Sequence, residues 1–271
     1  MKLLQAGIVT GDCQLNNTLR SLDSALFQME NINPKSMAKG TAKRNFTIVV
    51  EGNIGSGKST FLNSFASLPD ITIMPEPVHR WKNLGGKHNL LELIYKDPLR
   101  WNMAFQSYVQ LTRLQMHTKK VATTFKMMER SLYSARYCFV QNYINTNMMT
   151  EVEREICNEW LEFICATQDV GVDLLVYLRT SPDVALERIR RRSRTEEAGI
   201  PLEYLQALHD LHDDWLSGTS QFKVPAPVVE LDANKSAAQV QADFKSYVLQ
   251  NMSQMQYLVR NEALIQQESQ Q

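Results

Sequence analysis

Cysteine is scarce in this 271-residue chain: Cys13, Cys138, Cys157 and Cys165 include no C-x-x-C pair. Four are too sparse for a disulfide framework, so a reducing compartment fits the composition. Surplus charge is also absent, since 29 basic residues face 29 acidic ones and leave a net charge of 0. No global field draws the molecule to nucleic acid, and any anion site must be local. Long apolar runs are missing too: the stretches 46–50 and 174–178 fall far short of the ~18 consecutive residues of a membrane span. What remains, 44% apolar and 21% charged residues, is the composition of an ordinary globule.

At about 150 residues per domain, the length allows one large domain with tails or two small ones. Residues 1–45 are rich in Asn, Ser, Gln and Met and end in a polar run. They hold two arginines, Arg20 and Arg44, beside the acids Asp12, Asp23 and Glu30, unlike the Arg-rich, acid-poor pattern of a transit peptide. We read them as a flexible leader and expect a cytoplasmic location, with a mitochondrial or nuclear address left open. Residues 253–271 end in a polar stretch too poor in apolar surface to order itself, and read as a tail. No linker divides 46–252, which reads as one domain.

Within it, short apolar runs alternate with helical patterns, which predicts an α/β fold: a five-stranded parallel sheet flanked by helices. The strands are expected at 46–51, 71–75, 125–129, 172–178 and 227–231. One helix over 98–120 places Trp101, Phe105, Val109, Leu111 and Leu114 largely on one stripe. A second over 151–167 does the same with Ile156, Trp160, Phe163 and Ile164. Such stripes are more often core or dimer surface than a cofactor site.

The most informative segment is Gly52-Asn53-Ile54-Gly55-Ser56-Gly57-Lys58-Ser59, with Thr60 after it. It satisfies the phosphate-loop pattern G-x-x-x-x-G-K-[ST], with an apolar strand before it and a helix expected from Lys58. Glycines let successive N–H groups point at phosphate oxygens, and the helix adds its positive N-terminal end. Lys58 is suited to the β and γ phosphates and Ser59 to Mg²⁺. At ordinary residue usage, about one chain in a hundred of this length carries the pattern by chance.

The pattern names a ligand class, and other strand ends narrow the reaction. A guanine-reading N-K-x-D segment is lacking, because Asn234-Lys235-Ser236-Ala237 has no Asp; this disfavours a regulatory GTPase. Glu129 closes the third strand, where a Mg²⁺-holding carboxylate is expected, and Arg130 follows it. Glu76 lies between Pro75 and Pro77 at the second strand's exit, placed to orient or deprotonate an acceptor hydroxyl; the rival reading is a solvated loop carboxylate. Arg188, Arg190, Arg191, Arg192 and Arg194 fall within seven residues. Such a run is ordinarily a solvated helix face, but after the fourth strand of a kinase it suits an arginine-rich lid over the transferring phosphoryl group.

These features in this order resemble the deoxyribonucleoside kinase family, most closely its multisubstrate and mitochondrial thymidine kinase-like members. The likeness spans about 46–215. It rests on Glu51 through Lys58, Glu76-Pro77-Val78 with Trp81, Leu90 through Pro98, Phe105-Gln106 through Val109, Glu129-Arg130-Ser131 through Phe139, and Tyr177 through Pro182. The resemblance implies a P-loop kinase that moves the γ-phosphoryl group of ATP, with Mg²⁺, to the 5′-hydroxyl of a deoxyribonucleoside for DNA precursor salvage. It implies Glu76 as base with Arg130 beside it, and Glu129 helping to hold Mg²⁺. Tyr95 and Glu197 are implied on the 3′-hydroxyl, Gln106 on the base edge and Phe139 stacked beneath it. Ile54, Trp81, Phe105 and Val109 complete the wall. Arg188, Arg190, Arg192 and Arg194 match the lid, and Asp232, Ala233 and Asn234 lie near the expected adenine site. A helical homodimer is implied as well, with no nucleic-acid or membrane partner.

Arg113 departs from the closest branch, which carries an apolar residue there. The deoxycytidine and deoxyguanosine kinase branch has this Arg but pairs it with an Asp at the position of Ala135. Arg113 is therefore expected either to swing out of the pocket or to meet a base carbonyl, with purines used alongside pyrimidines. A nucleoside monophosphate kinase and a nucleotide-binding regulator that has lost catalysis are the alternatives. His209, His212 and Asp213 have a helical spacing that a metal could use, but Leu205, Leu208, Leu211 and Trp215 make the segment an amphipathic helix, with the histidines structural.

Overall fold

The computed structural model describes residues 44–248. The expected tail and all of the leader up to residue 43 lie outside the described residues. The leader's last two residues belong to the folded body. Arg44 is ion-paired with Asp173, and Asn45 donates to the carbonyls of Val121 (2.9 Å) and Thr123 (2.6 Å). Polar side chains here staple the entrance of the first strand to its neighbours, which composition alone did not show.

The strands are β1 (Phe46–Glu51), β2 (Ile71–Met74), β3 (Phe125–Glu129), β4 (Leu174–Arg179) and β5 (Val228–Asp232). They form one parallel sheet in the order β2-β3-β1-β4-β5. Every residue of β1 is buried, as a central strand covered on both faces requires. β2 stops one residue short of expectation because Pro75 has no N–H for the ladder. β4 begins two residues late, since Asp173 turns its carboxylate onto the Thr47 amide (2.7 Å).

The helices are α1 (Lys58–Asn63), α2 (Val78–Trp81), α3 (Leu90–Lys96), α4 (Pro98–Thr118), α5 (Leu132–Ser134), α6 (Gln141–Asn145), α7 (Glu151–Thr167), α8 (Pro182–Arg192) and α9 (Leu202–Leu216). A π-helical turn, Ala135–Val140, joins α5 to α6, and a 3₁₀ turn, Thr195–Glu197, follows α8. Residues 237–248 are also helical. One core packs Phe61, Phe65 and Phe244 against the sheet, and another packs Leu205, Leu208 and Trp215. A third, built around Trp81, Ile94, Phe105 and Tyr143, lies under α3 and α4. No helix among the described residues is long and apolar enough to cross a membrane.

Two helix faces differ from expectation. The buried face of α4 is largely polar, carrying Asn102, Gln106, Thr112, Arg113 and His117, while Leu111 is exposed. α7 buries Cys157, Leu161 and Ile164 but turns Val152, Ile156, Trp160 and Phe163 outward, with Trp160 54% and Phe163 58% exposed. Its sequence holds two apolar stripes, and the narrower one faces the core. Register then sets up the site: Val50 lies opposite both Glu129 and Val176, so the carboxyl ends of β1 and β3 open onto the same rim, where ligands gather in such sheets.

Candidate active site

The loop after β1 closes tightly against α8. Gly55 has φ +79°, and a Cβ there would lie 2.5 Å from the Ala185 carbonyl oxygen, so only glycine fits. Asn53 braces the loop by donating to the Leu205 carbonyl (2.8 Å) and accepting from the Ile54 amide (2.8 Å). Lys58 is only 4% exposed, and its Nζ donates to the carbonyls of Asn53 (2.6 Å) and Gly52 (3.1 Å). Burial, and next the charge of Arg130, push this amine down to about 7 against the opposing pull of Glu129, Glu76 and Glu51. An anion placed in the loop reverses that balance.

Glu129 closes β3. Both of its oxygens accept from Ser59 Oγ, each at 3.0 Å, and one accepts from the Glu76 amide (3.4 Å). A hydroxyl and a carboxylate converging in this way are hard oxygen donors of the kind Mg²⁺ takes beside phosphate oxygens and water. No group of three or more His, Cys, Asp or Glu side chains that could hold a metal ion is present among the described residues.

Arg130 has φ +62°, a left-handed conformation that costs a residue with a Cβ about 1–3 kcal/mol and persists only where contacts enforce it. Three contacts do so. Its Nη1 donates to both oxygens of Glu76 (2.9 and 3.1 Å), its Nη2 reaches the Gly52 carbonyl (3.3 Å), and its guanidinium carbon lies 4.8 Å from the centre of the Phe139 ring.

Glu76 thus meets Arg130 on one side, and on the other it accepts from Arg113 Nη2 at 2.6 Å. Burial alone raises its pKa, but Arg130 and then Arg113 outweigh burial and hold the carboxyl well below the ordinary range. Arg113 therefore does not swing out of the pocket: it is 2% exposed and lines the cavity. With Ala135 unable to bond it, the guanidinium takes the nearest carboxylate instead.

The cavity between these groups measures about 220 Å³. α4 lends it Phe105, Gln106, Val109 and Arg113; α2 lends Trp81, edge-on to Phe105 at 5.6 Å. Ile54, Tyr95, Ala135, Phe139 and Glu197 close the remaining sides, with Lys58, Ser59 and Glu129 at the loop end. Gln106 is buried in this wall, with its amide making no hydrogen bond to any described residue. The lid divides. Arg192 and Arg194 line the cavity, both ion-paired with Glu197.

Five of the nominated residues, Arg188, Arg190, Asp232, Ala233 and Asn234, lie outside the cavity wall. Arg188 turns away to donate to the carbonyls of Ala233 (2.8 Å) and Lys235 (3.2 Å), and Arg190, on the opposite side of the helix from Arg188 and Arg192, is exposed; the two arginines on the cavity sit at the last residue of α8 and beyond it. Asp232 ends β5 and Ala233 and Asn234 turn beyond it, with Asn234 accepting from the Ser181 amide (2.9 Å). They border α8 rather than the cavity.

Several residues that sequence reasoning passed over are also built into the site. Glu51 is wholly buried, accepts from the Ser131 amide (2.9 Å) and hydroxyl (2.5 Å), and leaves its second oxygen unpartnered; burial pushes its carboxyl up. An acidic residue ending a largely apolar strand was the available signal. Tyr143 and Tyr204 line the cavity as well, with nothing in their spacing to mark them. Glu196 bonds Lys82 (2.8 Å) and Asn89 (2.9 Å), pinning the lid's 3₁₀ turn to the opposite wall. His212 is buried and bonded to the Leu208 carbonyl (2.6 Å), and burial lowers its pKa to about 3, so it is a neutral structural histidine.

The family model for deoxynucleoside kinases matches residues 48–255. The chain belongs to the deoxynucleoside kinase family. It is 46% identical over 192 residues to mitochondrial thymidine kinase 2 of Macaca fascicularis and 45% identical over 192 to that of Homo sapiens, each covering 71% of this chain and 72% of the relative. It is 35% identical over 233 residues to deoxycytidine kinase of Mus musculus, covering 74% and 88%. As a deoxynucleoside kinase, the protein is a phosphotransferase that moves a phosphoryl group from ATP to a deoxynucleoside, the reaction of deoxynucleotide salvage.

The state of Lys58 makes ATP binding proton-linked. At about pH 8 an amine titrating at about 7 is mostly neutral in the empty loop, and phosphates recharge it, so binding should take up as much as about one proton. Calorimetry in buffers of different ionisation enthalpy measures this. Binding with no uptake would mean that Lys58 is already charged.

Proposed function

We propose that the kinase transfers the γ-phosphoryl group of ATP to the 5′-hydroxyl of deoxyribonucleosides, both pyrimidine and purine, with Glu76 as the general base. One juxtaposition carries this reading: Glu76 and Lys58, an acceptor-side carboxylate and a donor-side amine, line the same cavity with Ser59 and Glu129 between them. The loop amides and Lys58 hold the β and γ phosphates. Ser59 and Glu129 are the residues that would hold Mg²⁺, which when bound neutralises charge on the phosphate oxygens.

On the acceptor side, Glu76 takes a hydrogen bond from the 5′-hydroxyl and receives its proton late, as the bond to phosphorus forms. In a loose phosphoryl-transfer transition state positioning counts for more than basicity, and Arg130 supplies the positioning. Tyr95 and Glu197 hold the 3′-hydroxyl, Gln106 bonds the base edge, and Phe139 stacks beneath the base. Ile54, Trp81, Phe105 and Val109 shape the wall. Arg192 and Arg194 place positive charge beside the transferring group, while Arg188 and Arg190 serve the lid from outside the cavity. Asp232, Ala233 and Asn234, beyond it beside Ser181 and Arg188, are the residues we assign to the adenine.

The outward stripe of α7 supports a homodimer, since contiguous exposed aromatic and aliphatic side chains mark an interaction surface. Wild-type protein should sediment as a dimer and a Trp160→Glu, Phe163→Glu variant as a folded monomer; an unchanged mass in the variant would place the interface elsewhere.

Glu76→Gln should lower kcat by about 10²–10⁴-fold, the usual contribution of a positioned general base, with KM for thymidine changed far less. Steady-state kinetics read this directly. Full kcat in the variant would remove Glu76 from the chemistry, and phosphorylation of thymidylate but not thymidine would favour a monophosphate kinase.

A further inference from the structure

Arg130 is pinned in its left-handed backbone by two consecutive residues of β1. Its own amide donates to the Val50 carbonyl (2.9 Å), and the next amide, that of Ser131, donates to Glu51 Oε1 (2.9 Å). The Ser131 hydroxyl donates to the same oxygen (2.5 Å) and accepts from the Ser134 amide (3.2 Å), capping α5. The first contact extends the ladder between β1 and β3, but the second needs a side chain that accepts. A residue with a Cβ stays at φ +62° only while its neighbours enforce it.

Glu51 is a costly residue for that position. It is wholly buried, and its second oxygen has no partner among the described residues. An aliphatic side chain, like those of Ile48, Val49 and Val50 before it, would incur no such cost, so what the carboxyl contributes is the acceptor. Burial pushes it up toward the neutral acid, whose Oε1 still accepts both bonds. Glu51 does not line the cavity, yet its contacts lead there. Arg130, held beside Ser131, grips both oxygens of Glu76 and the carbonyl of Gly52, the residue after Glu51.

Resting on the reading of Glu76 as the general base, we propose that Glu51 is a positioning residue for it: by gripping Ser131 it keeps Arg130 turned toward Glu76, and so sets kcat without touching substrate.

Two substitutions isolate the acceptor, since Glu51→Leu removes it and Glu51→Gln keeps it. In Glu51→Leu, kcat for thymidine should fall by about 10–10²-fold, the scale of a misplacement transmitted from outside the chemistry, with KM for ATP changed less than about twofold. Glu51→Gln should hold kcat within about threefold of wild type. A role confined to bracing the adjacent phosphate loop would raise KM for ATP instead, and a role confined to stability would leave kcat of the folded enzyme unchanged. Either result would overturn the proposal, as would a Glu51→Gln enzyme as impaired as Glu51→Leu. If Glu51→Leu does not fold, Ser131→Ala decides: losing the hydroxyl half of the grip should lower kcat by about threefold or more, the scale of one hydrogen bond, and full kcat there would overturn the proposal. Full kcat in Glu76→Gln would instead overturn the reading of Glu76 as base, and this proposal with it.

Discussion

A carboxylate held between two buried guanidinium groups is the interaction on which this site depends. Glu76 is almost enclosed, and a lone carboxylate so placed would avoid its charge by taking up a proton. Arg130 and Arg113 prevent this by meeting it at 2.6–3.1 Å. The arrangement is costly in parts and stable only as a whole, because removing one partner from a buried pair typically costs about 3–5 kcal/mol through the charge left behind. Geometry elsewhere serves it. The left-handed backbone at Arg130 aims the guanidinium, and Pro75 and Pro77 stiffen the segment that carries Glu76.

The donor half of the site follows from the sheet. Parallel pairing of β1 with β3 brings the phosphate loop and Glu129 to the same rim, and α1 starts at the lysine the loop pattern demands. Lys58, short of solvent and surrounded by carbonyls, gains from an arriving phosphate what it lacks in the empty loop. The acceptor half depends on α4, which turns Phe105, Gln106, Val109 and Arg113 to the cavity and bonds its other buried polar side chains, Asn102, Thr112 and His117, to neighbouring elements.

Much of this was legible in the sequence. The phosphate loop, β1 and β3 fell where their patterns put them, since strand-loop-helix chemistry is local and written in adjacent residues. Glu76, Glu129 and Arg130 were legible as strand-end residues, and Gln106, Tyr95 and Glu197 through resemblance. The partner of Arg113 was not, because an ion pair between residues 37 apart depends on how α4 crosses the sheet. Nor was the inward face of α7, where two apolar stripes compete and only tertiary packing decides. The division of the arginine run likewise depends on where α8 ends relative to the cavity, since Arg192 and Arg194 sit at its last residue and beyond it, and composition does not encode that.

The account turns on the charge state of Glu76, and the most direct measurement is a ¹³C NMR titration of its carboxyl in ligand-free enzyme, with the resonance assigned by Glu76→Gln. The structure predicts a midpoint well below the ~4.3 of an ordinary glutamate, or a carboxylate still charged when acid unfolds the protein. With a depressed folded-state pKa, the stability this group contributes is present above the unfolded value and lost as pH falls through the folded one. A midpoint at or above the ordinary value would contradict the account, because Arg130 and Arg113 would then not be holding Glu76 as a carboxylate.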